Sequence, residues 1–232
     1  MRLSKEFLTL LILLVAGRFC FGQDSSPKAQ LVDRFSTLKC GEWRGRLDSF
    51  FIELHDNPSL TGYAVISSGK NSFKKGLAYE NIIQGHAEIR KFDSKSFNII
   101  RVDKEPAEVE FWKVSPGAEK PTFAPSQWSI VLASGTKPFE FGSTYNYPDC
   151  HNFSARLYAD YLLANPGARG NIVVYYNSIG EGEKEGKFWL QIMTEDFKIP
   201  RNRFRFFYRK SKDPAFPGIE FWLVPKKAKV TK

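Results

Sequence analysis

Four arginines spaced along one short stretch are the residues of this chain that are best suited to binding chemistry. They are Arg201, Arg203, Arg205 and Arg209, and they alternate with Phe204, Phe206 and Tyr208. Successive side chains of a strand point to opposite faces, so the alternation predicts an arginine face and an aromatic face. A row of guanidinium groups beside Phe207 would hold carboxylates or phosphates of a polymer through bidentate hydrogen bonds. The alternative is that the arginines are solvated or protect an exposed sheet edge.

Two cysteines, Cys40 and Cys150, are the second set of residues whose side chains could carry chemistry. In an oxidising compartment two lone cysteines are candidates for a disulfide, which would tie the two halves of the chain together. The alternative is two separate buried thiols. Their spacing and the lack of neighbouring histidines or cysteines argue against a metal site.

Catalytic and cofactor-binding motifs are missing from the sequence. There is no HExxH, no G-x-S-x-G and no P-loop, and the three histidines (His55, His86 and His151) lack the spacing of metal ligands. A smaller basic loop, with Lys70, Lys74 and Lys75, is typical of solvated surface. We therefore expect no catalytic residues, no metal, no cofactor and a protein that is not an enzyme.

The segments that must position these residues occur twice. Val109-Glu110-Phe111-Trp112 recurs as Ile219-Glu220-Phe221-Trp222, and the cysteines and the Asn-Pro pairs recur at nearly the same offset. A repeat of this length indicates a duplicated domain and not a solenoid unit. Because Trp112 and Trp222 hold the same position in their copies, we expect both to pack in a core, which argues against sugar stacking.

Each copy has the same predicted order of elements. An extended segment precedes a helix whose apolar residues, Leu47, Phe50, Phe51 and Leu54 in the first copy, fall on one face. Asn57-Pro58 and Asn165-Pro166 end these helices, because the residue before proline avoids helical torsions. An apolar strand, a second helix and a closing two-stranded hairpin follow. The sequence therefore predicts the α+β class, as two repeats of a β-α-β-α-β-β two-layer sandwich with a mixed sheet.

Composition shifts give the predicted boundaries. They are a signal peptide (1–22), a first repeat (23–115), a Pro-rich linker (116–127), a second repeat (128–226) and a basic tail (227–232). The start of the second repeat includes one further predicted strand, Ser129 to Ala133.

The charge and the N-terminal segment indicate location and partners. Arg2 and Lys5 precede an apolar run that is too short to span a bilayer, as in a cleaved export signal. We expect a periplasmic or extracellular protein with no transmembrane segment after cleavage. The net charge of +9 favours anionic partners, of which nucleic acid is the least compatible with export.

The run Phe139-Glu140-Phe141-Gly142, the helix from Arg156 to Asn165-Pro166 and the strand Ile172-Val173-Val174 resemble the start of an OmpA-like domain. This family is the peptidoglycan-associated module of bacterial outer-membrane proteins. The resemblance implies two divergent OmpA-like repeats.

The resemblance also implies a ligand clamp, made by an aspartate after the second strand and an arginine on the second helix. The corresponding loops are Ser67-Ser68-Gly69-Lys70-Asn71 and Asn177-Ser178-Ile179-Gly180-Glu181, which carry no aspartate. The second helices lack the arginine-alanine pair. No functional residue of the family is carried over to this chain.

These observations predict an exported, non-enzymatic binding or scaffold protein of the cell envelope that contacts an anionic polymer or envelope proteins. One alternative is peptidoglycan binding through substitute residues. Another is a secreted enzyme with its site between the repeats, which paired buried carboxylates at the junction would favour.

Overall fold

The computed structural model describes residues 27–37, 40–93, 95–123, 129–133, 136–145, 153–213 and 217–226. The predicted signal peptide and basic tail lie outside these ranges. The predicted disulfide also lies outside the described residues, because Cys150 and the side chain of Cys40 are not among them. No helix in the described ranges has the length and apolar character needed to cross a membrane.

The two repeats contain the same elements in the same order. The first consists of β1 (Gln30–Phe35), α1 (Cys40–Asp56), β2 (Thr61–Ser67), α2 (Phe73–Arg90), β3 (Phe97–Val102) and β4 (Glu108–Val114). The second consists of β5 (Phe139–Tyr145), α3 (Ala155–Ala164), β6 (Arg169–Tyr176), α4 (Ile179–Gln191), β7 (Phe204–Lys210) and β8 (Gly218–Val224). A π-helical segment (Ile192–Asp196) follows α4, and a 3-10 turn (Arg201–Arg203) precedes β7. The predicted α+β class is confirmed.

Both sheets are mixed and have equivalent strand orders, β1-β4-β2-β3 and β5-β8-β6-β7. The predicted closing hairpin is wrong, because β2 lies between β3 and β4 and pairs with β3 in parallel. Burial explains this order: β4 buries Val109 and Phe111 completely and takes a central place, whereas β3 carries Arg101 and lies at the edge.

Apolar stripes on the first helix of each repeat build the cores. The stripe of α1 is at most 1% exposed, and Phe50 stacks on Phe111 with ring centroids 4.5 Å apart. In α3 the equivalent stripe, Leu157, Tyr158, Tyr161 and Leu162, is fully buried. The predicted amphipathic helices are confirmed. Both end at the residue immediately before the Asn-Pro pair.

The predicted strand from Ser129 to Ala133 is wrong. Its backbone bonds to a side chain and not to a neighbouring strand: Asn165 Nδ2 donates to the Ile130 carbonyl at 2.8 Å, and the Leu132 N–H donates to Asn165 Oδ1 at 2.8 Å. Asn165 thereby satisfies the polar groups that a sheet ladder would otherwise have to satisfy. The segment packs on the core of the second repeat through Ile130 and Leu132.

The first sheet is covered on the face away from its helices. Tyr63, Val65, Val102 and Val114 form a small apolar cluster there. The segment after β4 turns back over this cluster, so that Ala118 and Phe123 pack on it, and Phe123 meets Trp112 edge-on with ring centroids 6.2 Å apart. Part of the predicted linker therefore contributes to the packing of the first repeat.

The two repeats meet where α2 packs against β5 and α3. Leu77 of α2 belongs to the buried core of the second repeat. Phe73 contacts Phe139 edge-on, with ring centroids 6.0 Å apart. The junction is heterologous, since a second helix of one repeat contacts the first strand and first helix of the other.

A polar layer at this junction fixes the N-terminal end of α3. Asn81, which is fully buried, donates to the Phe141 carbonyl at 2.9 Å and accepts from the Ser154 N–H at 3.0 Å. The Ser154 hydroxyl accepts from the Leu157 N–H at 3.0 Å and donates to Glu88 at 2.5 Å. Glu88 also accepts from backbone N–H groups in the first turn of α3. The first repeat thus helps to cap helix α3 of the second repeat. The backbone N–H groups at the N-terminus of α3 lie at the junction, and Glu88 of the first repeat satisfies some of them.

Gly85 lets α2 approach the second repeat closely. A Cβ at this position would lie 2.6 Å from the Phe153 backbone oxygen, whereas a Cβ at Gly45 in α1 would meet nothing within 4 Å. We expect Gly85→Ala to lower the free energy of unfolding by about 1–3 kcal/mol through overpacking. The matched change Gly45→Ala should raise it by up to about 1 kcal/mol, because alanine favours helix. Urea denaturation compares the two, and equal stabilisation by both would contradict the close approach.

Candidate polymer-binding face

The second sheet carries a distinctive set of side chains on the face away from its helices. Phe204 and Phe206 of β7 pack toward the helices, so the intervening positions point to the opposite face. Strand register arranges this face in three rows: Trp222, Asn171 and Arg205; Glu220, Val173 and Phe207; Gly218, Tyr175 and Arg209. We call this set the arginine–aromatic face.

Arg205 and Arg209 are exposed at the β7 edge of this face, and Phe207 between them is 40% exposed. Tyr175 and Trp222 are partly exposed on the inner strands. The prediction that Trp222 packs in a core is therefore wrong in part, whereas Trp112 does pack beneath Phe123. A guanidinium, an aromatic ring and a second guanidinium thus follow one another along the exposed strand.

Hydrogen bonds position the inner part of the face. The Tyr175 hydroxyl donates to Glu220 at 3.0 Å, and the Trp222 indole N–H donates to the other oxygen of Glu220 at 3.0 Å. Arg209 bonds the Tyr175 side chain as well. Burial raises the pKa of Tyr175, and its bond to Glu220 raises it further, so the hydroxyl stays protonated as a donor. This network fixes the orientation of Tyr175 and Trp222 beside the arginines.

The equivalent face of the first repeat has a different character. Asn98, Ile100 and Val102 hold the β3 positions that correspond by register to Arg205, Phe207 and Arg209. Ile100 and Val102 belong to the apolar cluster beneath Ala118 and Phe123. The two repeats therefore share a fold but differ at these positions, where one face is covered and the other is charged and exposed.

The structure separates the four predicted arginines. β7 begins at Phe204, so Arg201 and Arg203 lie in the preceding 3-10 turn and not on the strand. Arg203 points to the C-terminal end of α3, where its guanidinium donates to the carbonyls of Leu162, Asn165 and Ala168 at 2.7–3.0 Å. The prediction that all four arginines share one strand face is wrong, because helix α3 leaves carbonyls at its end that a nearby cation can satisfy.

Arg203 therefore has a stabilising role that Arg201 lacks, since Arg201 is exposed in the same turn. We expect Arg203→Met to lower the free energy of unfolding by about 2 kcal/mol, the scale of charge-assisted hydrogen bonds. Arg201→Met, its matched control, should change stability by less than about 0.5 kcal/mol. Urea denaturation of both variants measures this, and equal effects would refute the capping role.

Sequence reasoning missed the partners of Arg205 and Arg209. Tyr175, Glu220 and Trp222 lie on β6 and β8, far from the arginines along the chain. The repeated Glu-x-Trp pattern was the available signal, because it places a glutamate and a tryptophan on one face of a strand. Only the strand order brings that face beside β7.

The loops after β2 and β6, where the resemblance would place a ligand clamp, make other contacts in this structure. In the first repeat the Glu105 carboxylate accepts from the backbone N–H groups of Asn71 and Ser72 at 3.0 and 3.1 Å. In the second repeat Ser178 and Glu181 form a capping box at the start of α4. A cavity of about 290 Å³ lies beside it, lined by Thr144, Tyr176, Glu181 and Glu185 among others.

Carboxylates do gather at the junction between the repeats, and they are engaged in structural contacts. Glu80 is fully buried, where Arg101 donates to it at 2.9 Å and Gln84 donates at 2.9 Å. Burial raises the pKa of Glu80, and Arg101 opposes this shift. Burial also raises the pKa of Asp160, which lies in the field of Arg101. Glu80 and Arg101 thus form an ion pair within the first repeat, and Asp160 of the second repeat lies near enough to Arg101 for the cation to oppose this rise in its pKa.

Within the described part of the chain, no three acidic, histidine or cysteine side chains lie close enough to hold a metal ion. A comparison of the chain with models of protein families and with curated protein sequences finds no match.

Proposed function

We propose that this chain is an exported, non-enzymatic binding protein of the bacterial cell envelope, built from two divergent OmpA-like repeats. Its second repeat binds an anionic polymer on the arginine–aromatic face, and its first repeat serves as the scaffold that holds the second repeat in place. Arg205 and Arg209 provide the contacts to carboxylates or phosphates.

The difference between the equivalent faces of the two repeats carries this proposal. In the first repeat the face is apolar and lies beneath Ala118 and Phe123. In the second it keeps an exposed Phe207 between two exposed arginines. What distinguishes Phe207 is its position: its ring can stack on an apolar surface of a partner, and the flanking pair of cations selects a partner of negative charge.

Several other arginines form structural contacts, which supports the same proposal. Arg34 and Arg90 form ion pairs with Glu110 and Asp48, and Arg203 caps a helix. Arg205 and Arg209, in contrast, are both exposed and lie close together on the same strand, β7. Two cations on the same edge attract a polymer more strongly than isolated cations do, because successive charges of the polymer bind together.

A second candidate is peptidoglycan recognition through substitute residues in the second repeat. The cavity beside the start of α4 favours it, because Glu181 and Glu185 line a space of about 290 Å³. Two carboxylates suit an amine on a peptide stem. In the first repeat Glu105 occupies the corresponding helix start, so this candidate concerns the second repeat alone.

Co-sedimentation of residues 23–232 with purified peptidoglycan sacculi and with insoluble polygalacturonate tests the proposal. We expect pelleting with an anionic polymer at low salt that decreases as salt screens the arginines. Absence of pelleting with either material would refute it. Salt-resistant pelleting with sacculi that persists in a variant with Arg205→Gln and Arg209→Gln would favour the second candidate.

A further inference from the structure

The side chains of the arginine–aromatic face indicate the chemical class of the ligand as well as the sign of its charge. We infer that the polymer it binds is a carboxylate-bearing glycan, an inference that rests on the proposed function. The alternatives are a polyphosphate, which has charge without a stacking surface, and a neutral glycan, which has a stacking surface without charge.

The spacing of the β7 side chains supports a ligand that alternates between charge and apolar surface. Arg205, Phe207 and Arg209 are successive residues on one face of an extended strand. Two residues of a strand advance by about 6.6 Å, so a linear ligand along β7 meets a cation, a ring and a cation at this interval. A sugar-acid chain presents carboxylates separated by the C–H faces of its rings, which match this order.

Phe207 distinguishes a glycan from a polyphosphate. Its ring is 40% exposed between two charged side chains, and a phosphate chain would gain nothing from it. The face of an aromatic ring is large, apolar and electron-rich, so it attracts the C–H groups of a pyranose. Tyr175 and Trp222 extend the aromatic surface onto the neighbouring strands.

Glu220 disfavours a ligand with closely spaced charges. Its carboxylate lies in the middle row of the face, opposite Val173, and accepts from Tyr175 and Trp222. A dense polyanion crossing the face would meet this negative charge, whereas a ligand with separated carboxylates contacts the arginines at the β7 edge. The planar fork of arginine binds carboxylate and phosphate alike, so Glu220 and Phe207 are the groups that distinguish the two ligands.

Isothermal titration with three soluble probes tests the inference. We expect oligogalacturonate to bind residues 23–232 at least tenfold more tightly than polyphosphate of equal charge, and dextran to show no binding. Phe207→Ala should weaken oligogalacturonate binding about tenfold, and Phe207→Trp should retain it. Phe188→Ala is the matched control, because Phe188 is 51% exposed on α4, away from this face, and its loss should have no effect.

Equal affinity for polyphosphate and oligogalacturonate, unchanged by Phe207→Ala, would overturn the glycan inference and leave the proposed anionic function intact. Absence of binding to both polyanions would overturn the proposed function as well. Circular dichroism of Phe207→Ala separates a loss of binding from a loss of fold, and Phe207→Trp provides the same test in a variant that retains an aromatic ring.

Discussion

Replacing Arg101 with methionine is expected to lower the free energy of unfolding by about 3–5 kcal/mol at neutral pH. Glu80, the partner of Arg101, is fully buried beside the second repeat, and its carboxylate would lose the cation that compensates its charge. Methionine fills a similar volume without a charge, so the effect reports the unpaired carboxylate. Urea denaturation measures it, and a change below about 1 kcal/mol would contradict the structural role of the pair.

The double change Glu80→Met with Arg101→Met is the control. Replacing both members of a buried ion pair by apolar side chains of similar size is often neutral, because no buried charge is left unpaired. We therefore expect the double variant to recover most of the stability that Arg101→Met loses. Equal loss in both variants would show that the packing of Arg101, and not its charge, is what matters.

The loss of unfolding free energy caused by Arg101→Met should depend on pH. Burial already raises the pKa of Glu80 above 4.5, and removal of Arg101 takes away the group that opposes this shift. A carboxyl whose pKa is higher in the folded protein binds more protons when folded, so its destabilising effect grows as pH rises through the folded pKa and vanishes at lower pH. The difference from the wild type should therefore be larger at neutral pH than at about pH 5.

The pair of changes Arg205→Gln and Arg209→Gln is expected to weaken binding to an anionic polymer about tenfold at low salt. Both side chains are exposed, so the fold should be unaffected. The salt dependence of binding should also decrease, because fewer charges of the protein contact the polymer. Retention on immobilised polygalacturonate over a salt gradient measures both effects.

A variant with Lys95→Gln and Lys104→Gln controls for net charge. Both lysines are exposed in the first repeat, and their removal lowers the charge of the protein by the same amount. We expect this variant to elute close to the wild type. If it loses as much retention as the arginine variant, binding follows overall charge and not the arginine–aromatic face.

The sequence predicts the repeated elements of this fold well because their signals are local. Apolar spacing in α1 and the Asn-Pro pairs depend on neighbouring residues, and the structure places these helices where the patterns predict. The duplication strengthens each pattern, since an assignment in one copy is checked in the other. The α+β class follows from the order of the elements.

The strand order and the role of Arg203 depend on distant contacts. The chain from β3 to β4 is short and resembles a hairpin connection. However, β4 lies in the interior of the sheet, because Val109 and Phe111 are buried there. Arg203 matches the alternation of a strand, but the carbonyls at the end of α3 are closer partners. Neither competing interaction is visible in the local sequence.

The junction between the repeats is the least predictable part. Asn81, Gly85 and Glu88 lie on the second helix of the first repeat, where a local pattern gives no sign of another repeat. Their partners, Phe153 and Ser154, precede a helix some 70 residues later. Only the docked arrangement explains a buried asparagine and a helix-interior glycine at these positions.

Amide chemical-shift mapping of isotopically labelled residues 23–232 during titration with oligogalacturonate tests the central claim most directly. We predict the largest shifts at Arg205, Phe207 and Arg209, together with the Trp222 indole and Tyr175, and no comparable shifts at Asn98, Ile100 and Val102 of the first repeat. Shifts spread over the basic loop of Lys70, Lys74 and Lys75, with β7 unchanged, would contradict the assignment of binding to the arginine–aromatic face.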